Sequence, residues 1–255
     1  RYCIEFLKNF IDSRKQMCRE LFGVQYILDI LSSVYWYKQN ELSSPHRHPT
    51  ANASRPKHTQ IKELREMLLS IITNYFKDGI FKDEVLGIFR NLLISEDDEH
   101  ICEILNLLLG LLTSKSNKSV VDIFASYGGF EILCELLRRK DEDVKLLCIK
   151  MIILLIISQH IPLRIADKLR FENTDPLNLL KLLDGTPFTL QIYDALLRWA
   201  LEQFGTPGPS DKEDAESSKP TLLTIKNFNI IIVILALLDC DGTNPMVQCR
   251  ILEDL

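Results

Sequence analysis

The sequence lacks the short motifs that most often mark an enzyme or a cofactor site. It has no P-loop, no Gly-x-Gly-x-x-Gly fingerprint and no Gly-x-Ser-x-Gly nucleophile elbow. None of its seven cysteines stands in a Cys-x-x-Cys pair, the spacing most typical of structural zinc sites. Since no acid, base, nucleophile and metal ligand converge in a recognisable pattern, we expect no enzymatic activity, no cofactor and no metal site.

Glycine, proline and long apolar runs are also scarce. The 255 residues include only 10 Gly and 10 Pro, and several stand between apolar segments, which favours helices with defined ends over a β-sandwich. The longest apolar run near the end, residues 230–238, is far short of the ~20 residues that a membrane-spanning helix needs. This run is therefore predicted to be a buried helix.

The chain also lacks a net positive charge and an even number of cysteines. The formal net charge is -5 and the pI about 5.6, so the chain lacks the basic footprint of a nucleic-acid-binding domain, and we expect no nucleic-acid partner. The odd number of cysteines, most of them on apolar faces of predicted helices, indicates reduced thiols and a cytoplasmic setting. Apolar residues make up 46% of the chain, enough for a large core or several stacked repeats.

What the sequence does have is helical periodicity. Gly128 and Gly129 end one segment, the apolar residues of 130–137 then fall on one helical face, and from Val144 the chain is apolar on almost every side. An amphipathic helix joined to a helix without a polar side is typical of one layer in a stack. A related pattern surrounds Gly23, where ELFGVQYILDIL resembles ASYGGFEILCELL, a weak internal repeat.

The same periodicity predicts about a dozen helices and no strand. We expect these helices to form a single domain over residues 1–255, which is a fragment of a larger protein. The helices with the clearest bounds are predicted at residues 2–12, 60–76, 82–94, 100–113, 119–126, 162–171, 177–183, 188–204 and 220–239. The segment from Ser95 to Glu99 is predicted to supply an N-cap and negative charge at the start of the helix at 100–113, and Gly205 is the predicted stop of the helix at 188–204. Two polar segments, at about 38–59 and 205–220, are predicted to be flexible loops.

The aromatic cluster Tyr35, Trp36 and Tyr37 is the most distinctive candidate for a binding group. One interpretation is that it anchors a partner protein, as aromatic side chains often do. The other, more usual for large aromatic residues, is that it packs the end of its own helix. These three residues are the candidate partner-binding site.

Histidine and glycine clusters suggest weaker alternatives. His46, His48 and His58 could hold a metal ion, but metal sites need rigid placement, and here Pro and Ser surround the histidines. A solvated loop is the favoured interpretation. Gly128 and Gly129 precede a helix N-terminus and could bind phosphate, yet a tight turn between helices is favoured because Gly so often ends a helix.

Three segments carry a resemblance to a known family. They are Val34-Tyr35-Trp36, the run from Asp97 to Ile101 with the Leu-rich helix that follows, and the run from Leu201 to Thr206. In this order, with the Gly-Gly layer between the last two, the sequence resembles the armadillo-like α-solenoid region of the large BEACH-domain proteins, the neurobeachin and beige-like anchor type. The resemblance covers nearly the whole chain.

This resemblance implies an all-α, armadillo-like helical solenoid of the ARM or HEAT type, in which each helix is buried against its neighbours. It also implies a non-catalytic scaffold segment of a large cytoplasmic protein, peripheral on endomembranes, that acts in vesicle trafficking, membrane-protein sorting or autophagy. Other proteins are then its partners, and its association with membranes is only indirect, through modules outside this sequence. The alternatives are an architectural spacer with no partner of its own, and an unrelated armadillo or HEAT-repeat adaptor.

Overall fold

The computed structural model describes residues 2–33, 57–113, 117–158, 162–171, 176–183, 188–203, 224–238 and 244–254. These ranges contain fourteen helices and no strand, as the periodicity predicts. The helices are α1 (Tyr2–Ser13), α2 (Lys15–Leu21), α3 (Val24–Ser33), α4 (His58–Phe76), α5 (Lys82–Ile94), α6 (Asp98–Thr113), α7 (Asn117–Ser126), α8 (Gly129–Leu137), α9 (Glu142–Ile157), α10 (Leu163–Leu169), α11 (Pro176–Leu183), α12 (Leu190–Leu201), α13 (Phe228–Leu238) and α14 (Pro245–Asp254).

The chain divides into two compact units, residues 1–111 and 112–255. A single domain over the whole chain stays a prediction, and each unit is described by itself. In the first unit α1 packs against α2 and α4, and α3 packs against α4 and α5. In the second unit α9 packs against α8, α10 and α12, while α13 packs against α11 and α12.

Helix α9 is the most deeply buried element of the second unit. Asp141 caps its first turn, because the Asp141 carboxylate accepts a hydrogen bond of 3.0 Å from the backbone N–H of Val144. Every residue from Val144 to Ile149 is buried, including one lysine, Lys145. The prediction of a helix that is apolar on almost every side is confirmed, and the charged exception is explained below.

The turn between α7 and α8 needs both of its glycines. Gly128 has a φ of 80°, in the left-handed region that side chains other than glycine's rarely adopt. Gly129 lies so close to the ring of Phe124 that a Cβ atom there would overlap the ring. The predicted tight turn between helices is therefore confirmed, with positive φ as the reason for the first glycine and close packing as the reason for the second.

The predicted bounds of two helices are wrong by a few residues, and capping explains the observed ends. Helix α6 begins at Asp98, two residues before the predicted start, and its cap lies within the predicted segment: the Asp97 carboxylate accepts a hydrogen bond of 3.1 Å from the backbone N–H of Glu99. Ser95 follows the end of α5. Helix α12 is shorter than the predicted 188–204. The Thr189 hydroxyl caps its start, and the left-handed conformation of Glu202 ends it before Gly205, which lies outside the described residues.

The predicted helix at 220–239 is also too long at its start. Helix α13 begins at Phe228, because the backbone N–H groups of Lys226 and Asn227 both donate to the carbonyl of Ala200, at 2.9 and 3.0 Å. These donors therefore satisfy the end of α12 instead of extending α13. Of the two predicted loops, residues 38–56 and 205–220 lie outside the described residues, and the first loop ends by Lys57 since α4 begins at His58.

Candidate functional site

The aromatic cluster lies outside the described residues. Helix α3 ends at Ser33, and Tyr35, Trp36 and Tyr37 follow it in the range that is not described. Their role as the candidate partner-binding site stays a prediction.

Of the three histidines considered as metal ligands, only one lies within the described residues. His46 and His48 lie outside the described residues, whereas His58 begins α4 and its Nε2 atom lies 3.4 Å from the carboxylate of Glu99. Within the described ranges, no three His, Cys, Asp or Glu side chains come together as a metal site would require. His58 is half exposed, and its contact with Glu99 is a polar contact at the surface, of a kind that contributes little to stability.

A buried polar network joins four helices of the first unit. Its centre is Arg65 of α4, which has no exposed surface. Arg65 donates to the carbonyl of Leu31 at 3.1 Å, to the Glu103 carboxylate at 2.8 Å and to Nδ1 of His100. The carbonyl of Leu31 belongs to the last turn of α3, where backbone acceptors have no partner within the helix. Arg65 therefore links the end of α3 to α4 and α6.

His100 extends this network to α5. A guanidinium can only donate, so Nδ1 of His100 accepts from Arg65 and the ring proton lies on Nε2. Nε2 then donates to Oδ1 of Asn91 at 2.8 Å, and Nδ2 of Asn91 donates to the hydroxyl of Ser32 at 2.8 Å. Both His100 and Asn91 are buried. The arrangement fixes how the helices pack, since each polar atom has its partner on another helix.

A second charged cluster joins α2 to the turn between α4 and α5. Arg19 donates to the carboxylate of Glu84 through two nitrogens, to the carbonyl of Tyr75 at 3.0 Å and to the carbonyl of Gly79 at 2.8 Å. The guanidinium also stacks 4.3 Å from the ring centre of Phe81. Because Arg19 and Glu84 are both largely buried, this cluster is a structural clamp.

The buried lysine of α9 has a structural partner. The Nζ atom of Lys145 donates to the carbonyl of Leu183 at 2.9 Å, and this carbonyl is the last of α11. A cation at the C-terminus of a helix is favoured by the helix dipole as well as by the hydrogen bond. Lys145 therefore ties α11 to the centre of the second unit.

A cavity of about 540 Å³ opens between α8, α10 and α11. Its lining combines aromatic, aliphatic and basic side chains: Phe130, Cys134, Arg138, Lys168, Phe171, Asn178, Lys181 and Leu182. All of them belong to the second unit. The cavity falls in the volume range of natural ligand pockets, roughly 300–1,000 Å³.

The thiol in this cavity is protected from ionisation. Burial raises the pKa of Cys134 from 9.0 to about 11, with a smaller contribution from the carboxylate of Glu131. The side chain is therefore a neutral thiol at neutral pH and behaves as a small apolar group. Cys134 contributes to the apolar wall of the cavity rather than to covalent chemistry.

Helix α13 exposes an apolar stripe. Phe228, Ile232 and Leu235 are 67%, 48% and 45% exposed, and their spacing of four and three residues places them on one face. The single polar residue of this helix, Asn229, donates to the carbonyl of Phe171 at 2.9 Å. The outer face of α13 therefore carries no charged side chain, whereas the outer face of a surface helix is normally polar. We call Phe228, Ile232 and Leu235 the α13 stripe.

No pattern in the sequence predicts the buried network or the cavity. Arg65 and Lys145 resemble ordinary surface charges when read alone, and only their positions among apolar residues of the helix pattern could have signalled burial. The cavity unites residues of three helices, so no local pattern marks it. Among the described residues, no helix has the length and apolarity needed to cross a bilayer.

A comparison with known protein families identifies the family of this chain. A family model described as the Neurobeachin/BDCP, DUF4704 alpha solenoid region matches residues 2–255. No solved structure matches the chain. The match confirms the resemblance noted in the sequence and, together with the helices, the all-α helical solenoid that it implies. This protein therefore belongs to the neurobeachin-type alpha solenoid family.

Proposed function

We propose that this chain is a non-catalytic protein-interaction scaffold, a segment of a BEACH-type protein that acts in vesicle trafficking and membrane-protein sorting. Family membership supports the kind of protein, and the trafficking role follows from what the family resemblance implies. In this proposal the helices hold a binding surface in place, and the setting is cytoplasmic, at the surface of endomembranes.

The exposure of the α13 stripe is the main support for this proposal. Burial of apolar area contributes roughly 25 cal/mol per Å², so exposed large side chains on one helix face have a favourable free energy to gain from a partner. A spacer needs no such face, since its outer helix surfaces can be fully polar. The opposite side of α13 is filled, because Ile230, Val233, Ile234 and Leu237 are all buried.

Proximity labelling in cells tests this proposal with the double variant Ile232→Ser/Leu235→Ser. The matched control is Leu163→Ser/Leu190→Ser, which removes two exposed leucines, 80% and 40% exposed, from α10 and α12. Both variants should keep the wild-type thermal melt, because none of the four side chains is buried.

We expect the stripe variant to label a defined set of proteins at least several-fold less than the wild-type chain does. The control variant should label the same proteins as strongly as the wild type. Components of vesicle traffic in that set would support the cellular role. Equal labelling by the wild-type chain and both variants would favour the alternative, an architectural spacer without a partner of its own.

A further inference from the structure

We propose that the cavity between α8, α10 and α11 is a second docking site, which takes an acidic peptide segment of a partner protein with large apolar side chains between its carboxylates. The inference rests on the proposed function in one respect, that the ligand is part of another protein. It does not use the α13 stripe, and the two sites can be tested separately.

Helix α8 supplies one whole wall of the cavity. Phe130, Cys134 and Arg138 recur at intervals of four residues, so they form one stripe on the helix surface. With a rise of 1.5 Å per residue, this stripe extends about 12 Å along the helix axis. Helix α11 forms the facing wall with Lys181 and Leu182. The lining along α8 is therefore long enough to contact a segment of extended chain.

One part of the cavity lining is apolar. The ring of Phe130 lies edge-on to that of Phe171, with ring centres 5.9 Å apart, and Leu182 and the neutral thiol of Cys134 complete the surface. Phe171 and Leu182 are buried, so these walls are fixed by the core of the unit. A large apolar side chain of a ligand would be removed from water here, which supplies affinity without requiring new hydrogen bonds.

The rim of the cavity is basic, although the chain as a whole is acidic. Lys168 lies 5.9 Å from the ring centre of Phe130, near the start of the α8 stripe, and Arg138 lies at its other end. Lys181 stands on the facing helix. Against a formal net charge of -5 for the chain, three cations and only two neighbouring carboxylates, Glu131 and Glu135, leave a local excess of positive charge, which attracts carboxylates of a ligand.

Two of these cations already have exposed acidic neighbours. The Lys168 ammonium lies 3.4 Å from the Glu131 carboxylate, and Arg138 donates to Glu135 at 2.7 Å. Such surface pairs contribute little free energy, so a ligand carboxylate can share or replace them at small cost. Lys181 makes no ion pair with another described residue, and it is the cation best placed to bind a ligand directly.

The spread of the cations favours a peptide over a single phosphate. A phosphate site needs donors that converge on one anion, whereas Arg138 and Lys168 flank opposite ends of a stripe about 12 Å long. An extended peptide rises about 3.3 Å per residue, so carboxylates about four residues apart would reach both ends. The apolar part of the lining accommodates the intervening side chains.

Fluorescence anisotropy with the purified chain and a labelled peptide, Glu-Asp-Phe-Ala-Leu-Glu-Asp, tests the site. The decisive variant is Lys181→Glu, and the matched control is Lys150→Glu, an exposed lysine on α9 that does not line the cavity. A second variant, Cys134→Phe, fills the cavity without changing any charge. Thermal melts of all three variants verify that they fold.

We expect Lys181→Glu to weaken peptide binding at least about tenfold, because it replaces attraction by repulsion, while Lys150→Glu leaves the Kd within about twofold. Cys134→Phe should weaken binding similarly. Bound peptide should also slow alkylation of Cys134, measured by mass spectrometry of that cysteine's peptide.

Three outcomes would overturn the inference. The first is equal affinity of wild type and Lys181→Glu. The second is equal binding of a peptide with Ser in place of Phe and Leu, which would show that charge alone acts. The third is displacement of the peptide by millimolar inorganic phosphate together with no effect of Cys134→Phe, which would indicate an anion site. None of these outcomes bears on the labelling of partners through the α13 stripe, so the two proposals fail independently.

Discussion

Removal of the buried guanidinium of Arg65 should destabilise the first unit more than any comparable change on the same helix. In Arg65→Met an unbranched side chain of similar volume replaces one that donates to Leu31, Glu103 and His100. Hydrogen bonds involving charged groups contribute roughly 1.5–3 kcal/mol each. The methionine regains about 1.5 kcal/mol through apolar burial. With the lower figure for each of the three partners, the expected net loss is about 3 kcal/mol, at the low end of the cost of breaking a buried ion pair.

The assay is urea unfolding followed by circular dichroism, combined with hydrogen exchange of individual amides. Because the chain has two compact units, a single transition is not assumed. Loss of exchange protection should centre on α3, α4 and α6, the helices that Arg65 links directly. Lys62→Met, at an exposed position of the same helix, is the control and should change stability by less than about 0.5 kcal/mol. If Arg65→Met is as stable as Lys62→Met, the network does not hold these helices together.

The remaining predictions concern single elements. Leu133→Asp places an unpaired carboxylate at a position that is 1% exposed and should cost about 4 kcal/mol or more, so an unchanged thermal melt would contradict the described core of the second unit. Asp141→Ala removes the cap of α9 and should lower stability by about 1 kcal/mol in urea unfolding, whereas no change would show that the bond to Val144 contributes nothing. Burial raises the pKa of Tyr75 from 10.0 to about 12, so the folded state retains the phenol proton longer than the unfolded state does. The resulting stabilisation is fully present below pH 10 and should be lost as the pH rises to about 12. Absorbance at alkaline pH should show this tyrosine ionising late, and ionisation at its ordinary pH would contradict its burial.

Local patterns explain which parts of the fold could be predicted from the sequence. The periodic apolar residues of α5 predict a helix at residues 82–94, and these are the bounds observed. Gly128 and Gly129 likewise predict a turn. Capping and periodicity act over a few residues, so one sequence contains all the information they need.

Tertiary contacts explain where the prediction fails. Helix α13 starts eight residues later than its pattern predicts, because Lys226 and Asn227 donate to Ala200 on another helix. The burial of Arg65 depends in the same way on acceptors from α3 and α6. The cavity depends on three helices at once. None of these distant partners could be identified from the local sequence.

The most direct test of the central claim, that the chain is a protein-interaction scaffold, is site-specific photo-crosslinking in cells. A photoreactive benzoylphenylalanine replaces Ile232 in the α13 stripe or, as a control, the exposed Leu163 of α10. We expect discrete crosslinks to another protein from position 232 and none from position 163. Absence of crosslinks at position 232, in a chain that folds normally, would contradict the claim.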